Sequence, residues 1–221
     1  MKTTGEVMTR KGYNEGCLAA HALDLIGDRW ALLVLRELML GPKRFGLIRA
    51  GLPGIATNIL TQRLDALEAS GLLRHHRLPS PASVPVYELT EAGLGTRDVI
   101  DALCRWGVQQ PGHDPTKFIS PTALMLSMRV MVRPDKGQVP QQVGFVMGDE
   151  RFTALLDAQG FAPVPAAGAL PDLTFTGTGN SLAIAVYGPV PVAQLAAAGT
   201  IGLSGDAETA QHVVDAFRLG A

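Results

Sequence analysis

From Lys43 to Thr90 the chain reads KRFGLIRAGLPGIATNILTQRLDALEASGLLR, then passes a proline-rich tip, LPSPASVP, and closes on VYELT. This stretch restricts the fold more than any other. Leu60, Leu64 and Leu67 fall at i, i+4 and i+7, so a helix here buries them on one stripe. At about 100° per residue, Asn58, Gln62 and Asp65 make a second stripe almost opposite, facing outward. Pro53 and Gly54 in the preceding LPGIA break the shorter helix before it. Gly71 stands where a helix C-cap belongs, and LLRHHR after it reads as a strand that turns basic. The pattern predicts helix, turn, helix and a two-stranded wing. One helix face carries leucines and the other amides and hydroxyls, beside a basic hairpin, which suits the groove of a double helix.

The charge distribution agrees only locally. The whole chain of 221 residues has a formal net charge of −1, which by itself points to no nucleic-acid partner. Residues 29–77, however, hold eight basic side chains (Arg29, Arg36, Lys43, Arg44, Arg49, Arg63, Arg74, Arg77) against three acidic ones, a net of +5. A local excess of this kind is what phosphate neutralisation requires, although solvated faces also carry it.

The order Cys17, GDRWALLVLREL, RFGLIRAGLPGIATNILTQRLDALEASGLL, VYELTEAG and Trp106–Gly107 resembles the HxlR family of bacterial transcriptional regulators, dimeric relatives of MarR-type repressors. The resemblance covers about the first half of the chain. It implies a winged helix-turn-helix, an operator in double-stranded DNA and a homodimer built on the terminal helices. Where the family's wing usually has a proline and a charged residue before the tyrosine, this wing reads PSPASVPVY. Several family members sense electrophiles or oxidants through a cysteine near the position of Cys17.

Ahead of the winged module, residues 1–13 are polar and read as loose. Asn14 to Ile26 is expected to be a helix, with Cys17 and His21 four apart on one face. Asp28 is the expected N-cap of RWALLVLRELML, which is apolar nearly all round and therefore buried. Behind the module, Thr90 caps a helix running through Val99, Ile100, Leu103 and Trp106. That stripe has no partner inside so small a module, and a second copy of the chain would cover it.

Residues 107–121 are rich in proline and glycine, which places a domain boundary near Gly112. The expected domains are 1–112, for DNA binding and dimerisation, and 113–221. In the second, PTALMLSMRVMV fits a helix or a strand, and the helix is favoured. Alternation marks strands at Val143/Phe145/Met147, Phe152/Ala154/Leu156, Leu173/Phe175 and Ile201/Leu203. SLAIAVYG and VAQLAAAG read as short helices, and Asp206 caps a last one lined by Ala207, Ala210, Val213, Val214 and Phe217. The run PDLTFTGTGNSLAIAVYG followed by AAAGTIGLSGDAETAQHVVDAF resembles the sterol-carrier-protein type of lipid-binding fold. The fold class expected is thus α+β, a winged helix-turn-helix domain followed by a small α+β sterol-carrier-like domain. The second resemblance implies an apolar tunnel for a hydrophobic small molecule or lipid.

Candidate site residues follow from these readings. Thr57, Asn58, Thr61 and Gln62 present groups that hydrogen-bond base edges, Asn and Gln suiting adenine; an ordinary solvated helix face would look the same. Lys43, Arg44 and Arg49 lie where phosphate contacts fall, and Arg63, nearer the buried side, suits a phosphate or a salt bridge. His75, His76 and Arg77 on the wing suit backbone or minor-groove contact, the histidines carrying charge mainly below pH ~6.5. Cys17 is either a reactive thiol or a small buried residue in a dimer interface. Met125, Met128, Phe145, Phe152, Phe161, Phe175, Leu182 and Tyr187 line either a ligand tunnel or an ordinary core.

Other chemistries lack support. Two cysteines, Cys17 and Cys104, make no disulfide framework, and Cys104 reads as core. No third and fourth ligand joins Cys17/His21 or His75/His76 at zinc spacing. GTGNSL at 177–182 imitates the start of a dinucleotide fingerprint, but Leu182 replaces its third glycine. No nucleophile elbow, paired-carboxylate site or P-loop is present. The expectation is a cytoplasmic, non-enzymatic regulator with no cofactor, no metal and no membrane segment. The alternative is a carrier of lipids or hydrophobic metabolites in which the winged module serves dimerisation.

Overall fold

A computed structural model describes residues 12–79, 83–133 and 139–219. The N-terminal half contains α1 (Leu18–Ile26), α2 (Ala31–Leu38), α3 (Phe45–Ala50), α4 (Thr57–Ala69), β1 (Leu73–Arg77), β2 (Pro85–Leu89), α5 (Glu91–Leu94) and α6 (Arg97–Gly107). Strands β1 and β2 pair antiparallel, Leu73 opposite Leu89 and His75 opposite Tyr87. Lys43 adds a single bridge to Tyr87, its N–H donating to the Tyr87 carbonyl at 3.0 Å and its carbonyl accepting back at 2.9 Å. The leucine stripe of α4 (Leu60, Leu64, Leu67) packs into a core with Val34, Leu35 and Leu38 of α2 and Ile48 of α3. This is the helix-turn-helix with wing that the spacing of the leucines predicts. The wing tip at 80–82 and the N-terminal residues 1–11 lie outside the described residues.

Three expectations for this half are corrected. The first helix begins at Leu18 rather than Asn14, with Cys17 at its N-cap position. Asp28 does not cap α2; Trp30 occupies that position at φ +80°, and the Asp28 carboxylate is instead ion-paired with Arg63 of α4. The helix after Thr90 is broken in two. Thr90 caps its first turn as expected, accepting from Gly93 N–H at 3.2 Å. Gly93, however, packs so tightly on the Leu72 carbonyl that no Cβ fits there. The chain restarts at Arg97 after Thr96 donates its hydroxyl to the Gly93 carbonyl at 2.7 Å.

The C-terminal half opens with α7 (Pro121–Met131), a helix, as favoured from the sequence. It continues through β3 (Gln141–Met147), β4 (Glu150–Asp157), β5 (Gly160–Pro165), β6 (Thr174–Gly177), α8 (Gly179–Tyr187), α9 (Val192–Ala197), β7 (Gly202–Ser204) and α10 (Ala207–Val214). The sheet order is β5-β4-β3-β6-β7, with β3 and β6 parallel and the other neighbours antiparallel. Val143, Phe145 and Met147 of central β3 are buried, as period-2 alternation demands. Asp206 caps α10, accepting from Thr209 N–H at 2.8 Å. β5 was not expected, because GFAPVP carries two prolines. Proline is tolerated on an edge strand, where its missing N–H would face outward, and β5 is an edge.

The halves share α7. Its Leu124, Met125 and Met128 belong to the C-terminal core, and its Leu126 to the N-terminal one. Beside it lies a buried ionic cluster. The Glu37 carboxylate, with no exposed surface, accepts from Arg36 Nη2 at 2.8 Å, Lys43 Nζ at 3.2 Å and Ser120 Oγ at 2.6 Å. Lys43 also pairs with Glu150 of β4 at 2.6 Å and donates to Thr122 Oγ1 at 2.8 Å. A Cβ on Gly51 would collide with the Glu37 carboxylate, so that turn needs glycine. Among the described residues no helix is long and apolar enough to cross a membrane, and no group of three or more His, Cys, Asp or Glu is placed to hold a metal.

Candidate nucleic-acid interface

Helix α4 is fixed from behind and left open in front. Leu60 and Leu64 are fully buried, while Thr57, Asn58, Thr61, Gln62 and Asp65 are exposed on the far side. Ala56 at the N-cap position supplies no side-chain acceptor, so the first-turn N–H groups of this 13-residue helix are left for another partner. A phosphate oxygen fits such a helix end. Gly54, at φ +84°, turns the chain from α3 into α4, a conformation that suits glycine. Arg44 and Arg49, at the two ends of α3, are exposed. The structure therefore brings Arg44, Arg49, Thr57, Asn58, Thr61 and Gln62 onto one helix-turn-helix unit.

Two residues expected beside them are engaged elsewhere. The structure corrects the expectation for Lys43, which is 7 % exposed. Its bridge to Tyr87 turns the side chain inward to Glu37 and Glu150, and a buried, doubly paired ammonium does not face phosphate. Arg63 is half-buried and held by Asp28, the salt-bridge branch of its expectation. One residue was overlooked. Arg29, exposed beside the start of α4, stacks its guanidinium over the Trp30 ring at 5.4 Å. Both border an open cleft with Gly54, Ala56, Ile59 and Arg63. Only the basic tally of 29–77 signals Arg29 in the sequence, since its place depends on the αL conformation of Trp30.

On the wing, His75 stacks on Tyr87 with centroids 4.5 Å apart, and its N–H donates to Glu68 of α4 at 2.9 Å. The wing is thereby tied to the recognition helix. His76 Nε2 lies 2.9 Å from Glu88, which also accepts from Arg74 Nη2 at 2.6 Å. The Arg74 hydrogen bond holds the Glu88 carboxyl below the usual range, with His76 adding to it. Arg77 stands exposed at the end of β1. The wing's cationic surface is thus narrower than its sequence suggests, because Glu88 offsets Arg74 and His76.

Cys17 is exposed on the single chain, which leaves both readings open, a reactive thiol or a small residue covered by a second copy. Its thiol lies below its usual pKa because the Ala20 and Ala19 backbone N–H groups at the start of α1 favour the thiolate,. Cys104 behaves oppositely, burial pushing its thiol up. Near Cys17, Leu18 is 85 % exposed; on α6, Trp106 is 63 % exposed and Val99 and Leu103 are also open.

The expected tunnel residues form the C-terminal core. Phe145 stacks on Phe175 at 5.7 Å and meets Phe161 edge-on at 6.0 Å. Met125, Met128, Phe152 and Leu182 are buried in the same cluster. Packing against one another accounts for most of these side chains. A cavity of about 740 Å³ lies beyond them between α8, α10 and the start of β3, and only Tyr187 of the eight borders it. The Tyr187 hydroxyl, 2.9 Å from Ser127 Oγ, has its pKa raised by burial.

The family described as HxlR-like helix-turn-helix matches residues 25–114. An HTH-type transcriptional regulator of Methanothermobacter thermautotrophicus is 37% identical over 97 residues, 44% of this chain and 74% of that protein. The HTH-type transcriptional regulator YodB of Bacillus subtilis is 36% identical over 93 residues, 41% of this chain and 83% of that protein. A solved structure of the reduced form of YodB is 32% identical, covering 45% of this chain and all of that one, with a TM-score of 0.39.

Proposed function

Because the chain belongs to the HxlR-like helix-turn-helix family and is a transcriptional regulator of HxlR/MarR type, we propose that it acts as a dimeric repressor. It reads its operator through Asn58, Thr61 and Gln62. The observation that carries this reading is the two-faced recognition helix, amides outward and Leu60 and Leu64 fully buried behind. Arg44, Arg49, Thr57, Arg77 and His75 supply backbone contacts, and Arg29 joins them. The exposed apolar surface of α1 and α6 supports a homodimer, whose two modules grip half-sites about one helical turn apart. The protein acts in the cytoplasm, where its DNA is.

We divide the chain near Gly112 and assign the second domain, 113–221, to the sterol-carrier type. The succession β6, α8, α9, β7, α10 supports it. So do Gly199 and Gly205, which flank β7 at φ +69° and +94° in the run GTIGLSGD. This domain receives a hydrophobic small molecule, and the exposed, acidified thiol of Cys17 supports a second input by oxidation. Either input shifts the spacing of the two modules and weakens DNA binding.

The test is fluorescence anisotropy of the full chain on its own upstream DNA at physiological salt. Asn58→Ala/Gln62→Ala should lose affinity while a scrambled duplex is bound as before. Unchanged operator affinity would end the reading. Diamide should lower wild-type affinity and leave Cys17→Ser unaffected. An equal response of both proteins removes Cys17 from the mechanism without touching DNA recognition. The 740 Å³ cavity also suits a lipid carrier. Native mass spectrometry of the freshly purified chain discriminates, since a carrier brings ligand with it and binds DNA feebly.

A further inference from the structure

Lys43 joins the wing to the C-terminal half. Its backbone bridges Tyr87 of β2, donating at 3.0 Å and accepting at 2.9 Å. Its ammonium has three N–H donors and meets three acceptors, Glu37 of α2 at 3.2 Å, Thr122 of α7 at 2.8 Å and Glu150 of β4 at 2.6 Å. Two of the three belong to the C-terminal half. Thr122 has no exposed surface and Lys43 is buried, so salt screens these contacts little. A compact ammonium suits three convergent acceptors better than a planar guanidinium does.

From Lys43 the connection crosses the wing. His75 and Tyr87 stand opposite each other, and neither spends its N–H on the other. Tyr87 N–H donates to the Lys43 carbonyl, and His75 N–H to the Glu68 carboxylate of α4 at 2.9 Å. Side chains approach closely in such a pair, and here the rings stack at 4.5 Å, 12° from parallel. The wing is therefore held on both edges at one level, by Glu68 on one side and by Lys43 on the other. Arg77 lies two residues further along β1. Thr122 and Glu150 lie outside the helix-turn-helix unit, yet both hold the residue that holds the wing.

We propose that Lys43 is a positioning residue for DNA recognition. Held by Glu150 and Thr122, it sets the angle of the wing against α4 and so brings Arg77 to phosphate. This role rests on the reading of the wing as a DNA-backbone contact, and it names the part of the C-terminal half that acts on that contact. Any displacement of the β3–β4 turn relative to α7 pulls on this one ammonium. The recognition helix, anchored by Leu60, Leu64 and Leu67, stays in place.

The test measures operator affinity of the full chain over a salt series, for wild type, Arg77→Ala, Glu150→Ala and the double variant. Each phosphate contact adds about 0.9 to the slope of log affinity against log salt, a readout that a smaller folded fraction does not move. Arg77→Ala should lower the slope by about 0.9 per wing. Glu150→Ala should lower it at least as much, and the double variant no further than Glu150→Ala. Amide exchange of the free protein is followed by NMR alongside. Glu150→Ala should speed exchange at Lys43, His75 and Tyr87 about five-fold or more relative to Leu60 and Leu64, the effect of losing about one hydrogen bond. Thr122→Val, which removes an acceptor and keeps the side-chain shape, should do the same to a smaller degree and carries the test if Glu150→Ala does not fold. A further full loss of slope from Arg77→Ala in the Glu150→Ala background would overturn the proposal. So would exchange that rises equally at all five amides, or at none. An unchanged slope in Arg77→Ala alone would end the wing contact on which the proposal rests, a failure distinct from additivity, which ends the positioning role only.

Discussion

Glu37 and Glu88 each gather two basic side chains, the first at the seam between the halves and the second on the open face of the wing. Glu37 has no exposed surface and holds Arg36, Lys43 and Ser120. Glu88 is partly exposed and holds Arg74 and His76. The geometry is similar, but the surroundings decide what each contact is worth. Water screens the Glu88 pairs, whereas at Glu37 removal of the carboxylate leaves desolvated donors behind. One cluster locks the two halves to each other; the other trims the charge that the wing presents.

The sharpest way to break this contrast is Glu37→Ala. Stripping one partner from a buried ionic cluster costs about 3–5 kcal/mol, so urea unfolding should show a loss of that size. A cost no larger than that of Glu88→Ala would mean water reaches the seam. A little lower, Leu64→Ala should cost about 2–5 kcal/mol by opening a cavity behind the recognition helix. Its front face should behave oppositely. Asn58→Ala/Gln62→Ala should change stability by less than about 0.5 kcal/mol yet reduce operator affinity about ten-fold or more, as lost base contacts do.

The smallest effect belongs to Glu88. Its folded-state pKa lies below the unfolded value, so the stability it contributes is fully present above the unfolded pKa of about 4.3. That contribution disappears as pH falls through the folded value. The partial exposure limits it to under about 1 kcal/mol. Wild type and Glu88→Gln should therefore converge in thermal stability when acidified from pH 6 toward pH 3, and differ slightly at pH 6. Curves that stay parallel throughout that window would show that the pairs contribute nothing.

Periodicity alone was enough for α4, β3 and β4, and residue type for the caps at Thr90 and Asp206. Each of these is a local pattern that one segment satisfies by itself. α7 was legible only as helix or strand. β5 was hidden because FAPVP is a poor strand until β4 offers it an edge. The break between α5 and α6 was hidden as well, since only the approach of the Leu72 carbonyl makes Gly93 indispensable. Among the site residues, the outward amides of α4 were legible and Arg29 was not.

By itself, then, the sequence determined the two-faced helix, the basic stretch before it and the alternating strands, because side-chain period and backbone period are properties of a single element. Which charges remain open to a partner was decided only by tertiary structure. Lys43 reads like Arg44 beside it, yet a bridge to Tyr87 turns Lys43 into the interior and leaves Arg44 in solvent. Met125 and Phe145 read equally as tunnel lining or as core, and packing across the sheet makes them core. Packing between segments distant in sequence sets desolvation, and desolvation chooses which polar groups are spent on the fold and which are left to bind.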